Sequence, residues 1–177
     1  MNNKIKKISI ISIFIALLAV FSPISFYVGV VPISLSLFII FIISSIFPLK
    51  ESLIIVSIYI LLGFIGIPVF AGYKNGFEVI TNATIGYIIG YIPCIIIINL
   101  FKKIKLDNVF INGFSMFLGT TVCYIFGIIF YMILYKTTLI YAFSIIVLPF
   151  ILIDIVKIIL ASLIVFNIKK NIKMNSI

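Results

Sequence analysis

Six stretches of this chain, residues 8–26, 33–47, 53–67, 84–101, 111–135 and 144–168, carry almost no charge. A hydrocarbon layer about 30 Å thick takes roughly 20 helical residues to cross, and four of the six runs are near that length. The composition closes off the alternative of a soluble fold. Of 177 residues, 64% are hydrophobic and 10% charged, with a mean hydropathy of +1.44. A soluble domain uses about a quarter charged residues, and here too few polar side chains remain to form a shell. Isoleucine dominates the runs, which in water would hint at strands, but lipid admits only helices or closed barrels because every backbone group must be paired. The runs do not alternate polar and apolar as barrel strands do. The sequence therefore predicts an all-α integral membrane protein with six transmembrane helices. The second and third runs are short and stop at Pro48 and Pro68, and the second is expected to lie partly in the interface.

The cationic residues orient these spans. All 13 basic residues are lysine, and the net charge is +9. They sit in short clusters between apolar runs, which is a topology signal and not a stripe for phosphates, so nucleic acid is not an expected partner. With six spans, Lys4, Lys6, Lys7, Lys50, Lys102, Lys103, Lys105, Lys169, Lys170 and Lys173 share one side, and only Lys74 and Lys136 lie on the other. That bias puts both termini in the cytoplasm and turns residues 69–82 and 136–141 outward. The first run has the layout of a signal peptide, three lysines followed by apolar and then small residues. Five further runs need insertion in any case, so it reads as a retained span. With no internal repeat or long linker, residues 1–177 form a single membrane domain.

Few residues are left to carry chemistry. Histidine is absent, and Cys94 and Cys123 lie inside apolar runs without a CxxC, so neither structural zinc nor a disulfide framework is expected, and no cofactor is called for. Of four acids, Glu51, Glu78 and Asp107 fall in loops or at helix ends. Asp154 falls inside the last run, with Lys157 one turn on. A charge at mid-membrane costs about 2.5–3.5 kcal/mol on insertion scales and is usually functional. Spacing i,i+3 puts both on one helix face. As a packing device the pair would be poor, since two apolar residues pack at less cost than two desolvated charges. As a ligand site it offers an acceptor beside a donor, suited to a group with adjacent N–H and C=O such as a cyclic urea or amide.

Two further elements reach the same outward depth. One is the loop Gly63-Phe-Ile-Gly-Ile-Pro-Val-Phe-Ala-Gly72, whose glycines permit tight turns. The other is Asn82, Thr84, Gly86 and Tyr87 at the start of the fourth span, where Asn82 taken alone is a helix cap. Ser9, Ser12, Ala16 and Ala19 make a small-residue stripe on the first span, fit either for internal packing or for docking a partner helix.

Val31-Pro-Ile-Ser-Leu-Ser36, Leu61-Leu-Gly-Phe-Ile-Gly-Ile-Pro-Val-Phe-Ala-Gly72, Gly86-Tyr-Ile-Ile-Gly90 and Asp154-Ile-Val-Lys157 together resemble, in order and spacing, the biotin transporter substrate-binding (BioY) family. These are the substrate-capturing subunits of energy-coupling factor transporters. The resemblance covers nearly the whole chain and implies a non-enzymatic six-helix subunit of the bacterial cell membrane that binds biotin near its extracellular face. Asp154 would then accept from a ureido N–H and Lys157 donate to the ureido carbonyl, with Asn82, Thr84, Tyr87 and Phe70 completing the substrate site. The stripe on the first span would dock on a transmembrane coupling protein, and ATPase subunits would supply the energy, since the chain has no phosphate-binding loop of its own. The family's usual Gly-Pro-Thr-Gly-Gly-Tyr reads Asn82-Ala-Thr-Ile-Gly-Tyr87 here, and a glutamine of the family is Ser36. With no arginine in the chain, the tail carboxylate is left to Lys74, a backbone N–H or solvent.

Other readings differ in what they require. A subunit for another vitamin would keep the fold and change the Asp-x-x-Lys pair or the Pro-Val-Phe-Ala-Gly loop. A membrane-embedded hydrolase or acyltransferase needs a nucleophile with a base, and one buried acid without histidine supplies neither. A scaffold would use Asp154 and Lys157 for packing alone.

Overall fold

The computed structural model describes residues 3–28, 31–102 and 108–171; Lys103, Lys105, Asp107 and Lys173, used above, lie outside them. The described chain is mostly helical: α1 Asn3–Phe21, α2 Ser36–Ile46, α3 Leu49–Phe64, α4 Gly76–Ile80, α5 Thr84–Phe101, α6 Val109–Tyr135, α7 Leu139–Ile146 and α8 Leu148–Asn171. Three of these, α5, α6 and α8, are long and apolar enough to cross a membrane by length and composition. Ile125, Ile129 and Ile133 on α6 and Leu152, Val156, Ile159 and Leu163 on α8 stand exposed. A face of that kind needs lipid to cover it.

Three expected runs change shape. The first helix stops at Phe21, and Ser25 and Phe26 belong to strand β1 (Ser25–Val28), which pairs antiparallel with β2 (Val31–Ser34) in the register Ser25 with Ser34 and Tyr27 with Pro32. Ile33 and Ser34 are therefore strand and not the start of the second span. That span shrinks to α2, 11 residues or about 16 Å of helix. It is largely covered by protein, with Ile40, Phe41 and Ile43 fully buried. Irregular backbone at membrane depth is tolerated where protein covers it. The last run, expected as one helix, breaks at Val147 between α7 and α8. Pro149 is the cause: it has no N–H to give Ile145, and its ring crowds the carbonyl four residues back. Phe150 N then bonds Val147 O at 2.9 Å, not Ile146 O, so the Ile146 carbonyl has no helical donor. The Tyr87 hydroxyl donates to it from α5.

The tightest contact in the bundle is α5 against α6. It depends on two glycines whose missing Cβ lets backbones touch. A Cβ on Gly86 would meet Gly127 Cα at 2.9 Å, and one on Gly90 would meet Cys123 Cα at 2.9 Å. The Cys123 thiol also donates to Gly90 O at 3.3 Å. Close approach through small residues is the usual source of helix attraction in lipid, where no hydrophobic force separates helix from solvent.

Each end of the bundle is tied by polar contacts. At one end Lys7 pairs with Glu51, joining α1 to α3, and Lys102 Nζ donates to Phe47 O at 2.6 Å, joining α5 to the end of α2. At the other, Gly72 N donates to Pro23 O at 3.1 Å, and the Lys74 ammonium lies 5.6 Å above the Tyr27 ring, joining the 66–74 loop to the hairpin. A one-turn helix, α4, follows that loop, closed by an Asn75–Glu78 capping box.

Gly90→Leu is expected to force α5 and α6 apart and destabilise the protein by about 1–3 kcal/mol or more, the usual cost of overpacking. Ile89→Leu, one residue away and partly lipid-facing, is expected to be close to neutral. Thermal unfolding of the two variants in detergent, followed by circular dichroism, checks this; equal midpoints would remove the close-approach account.

Candidate functional site

Helix α8 buries one stripe: Phe150, Asp154, Lys157, Ile158, Ala161, Ser162 and Val165. The steps of three and four keep these on one face, so burying the apolar members also carries Asp154 and Lys157 into the protein. Asp154 is 5% exposed and Lys157 9%. Lys157 Nζ donates to Asp154 Oδ1 at 2.9 Å. The second carboxylate oxygen, Oδ2, accepts from the Tyr124 hydroxyl of α6 at 2.6 Å. The pair is thus neutral as a unit and still has bonding capacity, since a carboxylate has about four lone-pair sites and an ammonium three donors.

The pair forms the floor of a cleft. One wall comes from α5 as Thr84, Tyr87 and Tyr91, with Phe150 from α8 beside them. The outer wall is β2, through Val31, Pro32 and Ser34, with Leu37 below and Ala71 of the 66–74 loop. The cleft's volume is about 40 Å³, room for about one water molecule. The aromatic wall is interlocked: Tyr87 meets Tyr124 edge-on at 6.3 Å and Phe150 at 6.4 Å. Because its hydroxyl proton goes to Ile146 O, the Tyr87 ring is fixed, and its oxygen remains an acceptor.

A larger groove of about 280 Å³ lies between α6, α7 and α8 and reaches Asp154 and Tyr124 from the other side. Its remaining hydroxyls are spent within their own helix, Thr120 Oγ1 on Met116 O at 2.9 Å and Thr121 Oγ1 on Phe117 O at 3.0 Å. The cleft presents both charges, whereas the groove presents the carboxylate alone, beside the Thr120, Thr121 and Tyr124 hydroxyls that are already bonded within the protein. The cleft is therefore the candidate site.

Of the six residues expected there, the structure brings four together: Asp154, Lys157, Thr84 and Tyr87. Asn82 and Phe70 stand behind the lining. Asn82 accepts from Thr84 N at 3.0 Å and donates to Glu78 O at 2.7 Å, holding the turn before α5. Phe70 is 1% exposed and lies edge-on to Tyr59 and Phe64, over Gly63, whose added Cβ would meet its ring at 2.2 Å. It anchors the loop that presents Ala71. Tyr124, Tyr91, Phe150 and Leu37 were not foreseen, nor was a site role for Val31, Pro32, Ser34 and Ala71. Those last four lie inside the sequence motifs quoted above, and Pro32 and Ser34 are two apart on a strand, hence on one face. Tyr124 has no local signal, because its partner is 30 residues away. The stripe on α1 faces outward at Ser9, Ser12 and Ala16, with Ala19 half-buried; the two serines donate only to their own helix, at 3.0 Å each. Among the described residues no group of three histidine, cysteine, aspartate or glutamate side chains stands close enough to hold a metal.

Residues 1–174 match the BioY family. The chain is 32% identical over 163 residues to the biotin transporter BioY of Thermotoga maritima, an alignment covering 89% of this chain and 92% of the relative. It is 38% identical over 88 residues to the probable biotin transporter BioY of Pyrococcus horikoshii, covering 50% and 54%. Its fold superposes on the crystal structure of an S-component for biotin from an ECF-type ABC transporter with a TM-score of 0.86 at 27% identity, covering 96% of this chain and 95% of the other.

Asp154→Asn and Lys157→Met each strand a buried partner, and loss of one member of a buried pair commonly costs about 3–5 kcal/mol. Each single change is expected to lower the thermal midpoint by about 5 °C or more, and the double change to recover most of that. A double variant as unstable as the worse single would show that the two charges do not compensate each other.

Proposed function

The chain belongs to the BioY family, and we propose that it is the biotin-binding membrane subunit of an energy-coupling factor uptake transporter, a capture protein and not an enzyme. The observation that carries this reading is the buried Asp154–Lys157 pair on the floor of the cleft. A ureido ring presents an N–H beside a carbonyl. Asp154 takes the first and Lys157 serves the second, while Thr84, Tyr87 and Tyr91 form the wall against which the fused rings pack. Asn82 and Phe70 contribute by holding that wall and the facing loop in place. The cleft's outer wall is the hairpin and the 66–74 loop, tied to each other and packed on the helices through Val31, Ile33, Val69 and Phe70.

The membrane arrangement proposed is six passes, formed by α1, by α2 together with β2 before it, and by α3, α5, α6 and α8, in a single domain of a bacterial cell membrane with both termini in the cytoplasm. The two tied ends support it. Lys7, Glu51 and Lys102 gather at one end and Lys74 at the other, as the positive-inside rule requires. The outward stripe of Ser9, Ser12 and Ala16 suits close docking of a transmembrane coupling protein, whose ATPase subunits would drive uptake. For the tail carboxylate, Lys74 is a cation at the cleft's end of the bundle, beside the Tyr27 that pairs with Pro32, with a backbone N–H or solvent as the alternatives.

Two measurements test the reading. A reporter fused after Lys173 is expected to report cytoplasm and one inserted near Asn75 the exterior; both on one side would end the six-span arrangement. Calorimetry on monodisperse protein is expected to show biotin binding. Hydrogen bonds to charged groups contribute about 1.5–3 kcal/mol, so Asp154→Asn should weaken it roughly ten- to a hundredfold. The decisive sample is Asp154→Asn with Lys157→Met, which strands no charge. Poor binding by that folded protein is expected, and near wild-type affinity would reduce the pair to a packing device.

A further inference from the structure

We propose that Tyr124 is a positioning residue of the binding site, whose hydroxyl sets the plane of the Asp154 carboxylate from behind. The proposal rests on the reading of the cleft as a biotin site. A carboxylate turns easily about its last side-chain bond, because that torsion has a broad, roughly two-fold profile. Lys157 does not stop the rotation, since it belongs to the same helix, α8, and ends in a flexible four-carbon chain. Tyr124 differs on both counts. It comes from α6, its ring has only two torsions, and its hydroxyl reaches Asp154 Oδ2 at 2.6 Å, the length of a charge-assisted bond.

The direction of approach matters as much as the bond. Asp154 lines both the cleft and the lateral groove, whereas Tyr124 lines the groove alone. The hydroxyl therefore holds the carboxylate from the side away from the ligand and occupies none of the cleft. With Lys157 on Oδ1 and Tyr124 on Oδ2, two of about four lone-pair sites are filled and two remain for a donor arriving from the cleft. The Tyr124 ring is itself held edge-on by Tyr87, whose hydroxyl is fixed on Ile146 O. A chain of contacts thus runs from the α7–α8 break through two tyrosines to the atom that receives the ligand.

The competing account is that Tyr124 donates to Asp154 only because a buried phenol needs some acceptor. Biotin calorimetry on four proteins in lipid nanodiscs separates the two: wild type, Tyr124→Phe, Asp154→Asn, and Asp154→Asn with Tyr124→Phe. Phenylalanine keeps the ring and its contact with Tyr87. We expect Tyr124→Phe to weaken biotin binding roughly three- to thirtyfold, the range of one charge-assisted bond acting indirectly, and to change affinity by less than about twofold when Asp154 is already asparagine. Unchanged affinity in Tyr124→Phe, or the same loss in both backgrounds, would overturn the proposal. If Tyr124→Phe alone fails to fold while the double variant folds, the failure lies with a carboxylate left without its second donor. That supports the hydroxyl as its holder, and the double variant compared with Asp154→Asn still gives the affinity test. Wild-type protein that binds no biotin would end the biotin reading, and this proposal with it, before any variant is compared.

Discussion

A carboxylate and an ammonium part-way along a lipid-bathed helix must turn away from the hydrocarbon, and the arrangement of this bundle follows from that need. Helix α8 has an apolar face that lipid accepts, with Leu152, Val156 and Ile159 exposed, and a second face on which Asp154 and Lys157 sit among small and apolar residues. Pairing within the helix removes the net charge but does not supply a polar environment. Helix α6 adds the Tyr124 hydroxyl, and α5 adds Thr84, Tyr87 and Tyr91 around the cleft. The polar interior is small, and these members come from three separate helices.

Those segments meet because backbones can come close. Gly86 and Gly90 let α5 lie against α6 at contact distance, which sets the spacing between the tyrosines of one helix and Tyr124 of the other. A bulkier seam would widen the gap between Tyr87 and Tyr124, and the edge-on contact that steadies both rings would be lost. Packing in the apolar part of the molecule thus fixes distances in the polar part.

Much of this was legible in the sequence. The apolar runs gave the membrane and the helical class, and for residues 84–101 the boundaries coincide with α5. The i,i+3 spacing of Asp154 and Lys157 placed both on one face before any coordinates were known. The misses have physical causes. The hairpin at 25–34 reads as the end of one apolar run and the start of another, because hydropathy does not distinguish a strand covered by protein from a helix in lipid. The break before α8 was marked by Pro149, yet the stretch around it is apolar on both sides, so periodicity gave no warning. Tyr124 could not be found at all from local pattern, since a tyrosine in an apolar run becomes a site residue only through a partner on another helix. Asn82 and Phe70 stand just behind the lining, and a side chain that presents a wall and one that buttresses it look alike in one dimension.

The proline break ties two distant positions together. Pro149 removes a donor from its own chain, and the displaced turn leaves the Ile146 carbonyl to be served by Tyr87, 59 residues earlier. A descendant that lost the proline could run α7 and α8 as one helix, and the carbonyl would then find its donor four residues on. The tyrosine hydroxyl would become redundant there and free to turn toward the cleft. Among relatives, positions 87 and 149 are therefore expected to drift as a pair, so that a phenylalanine at the first is most at home where the second has ceased to be proline.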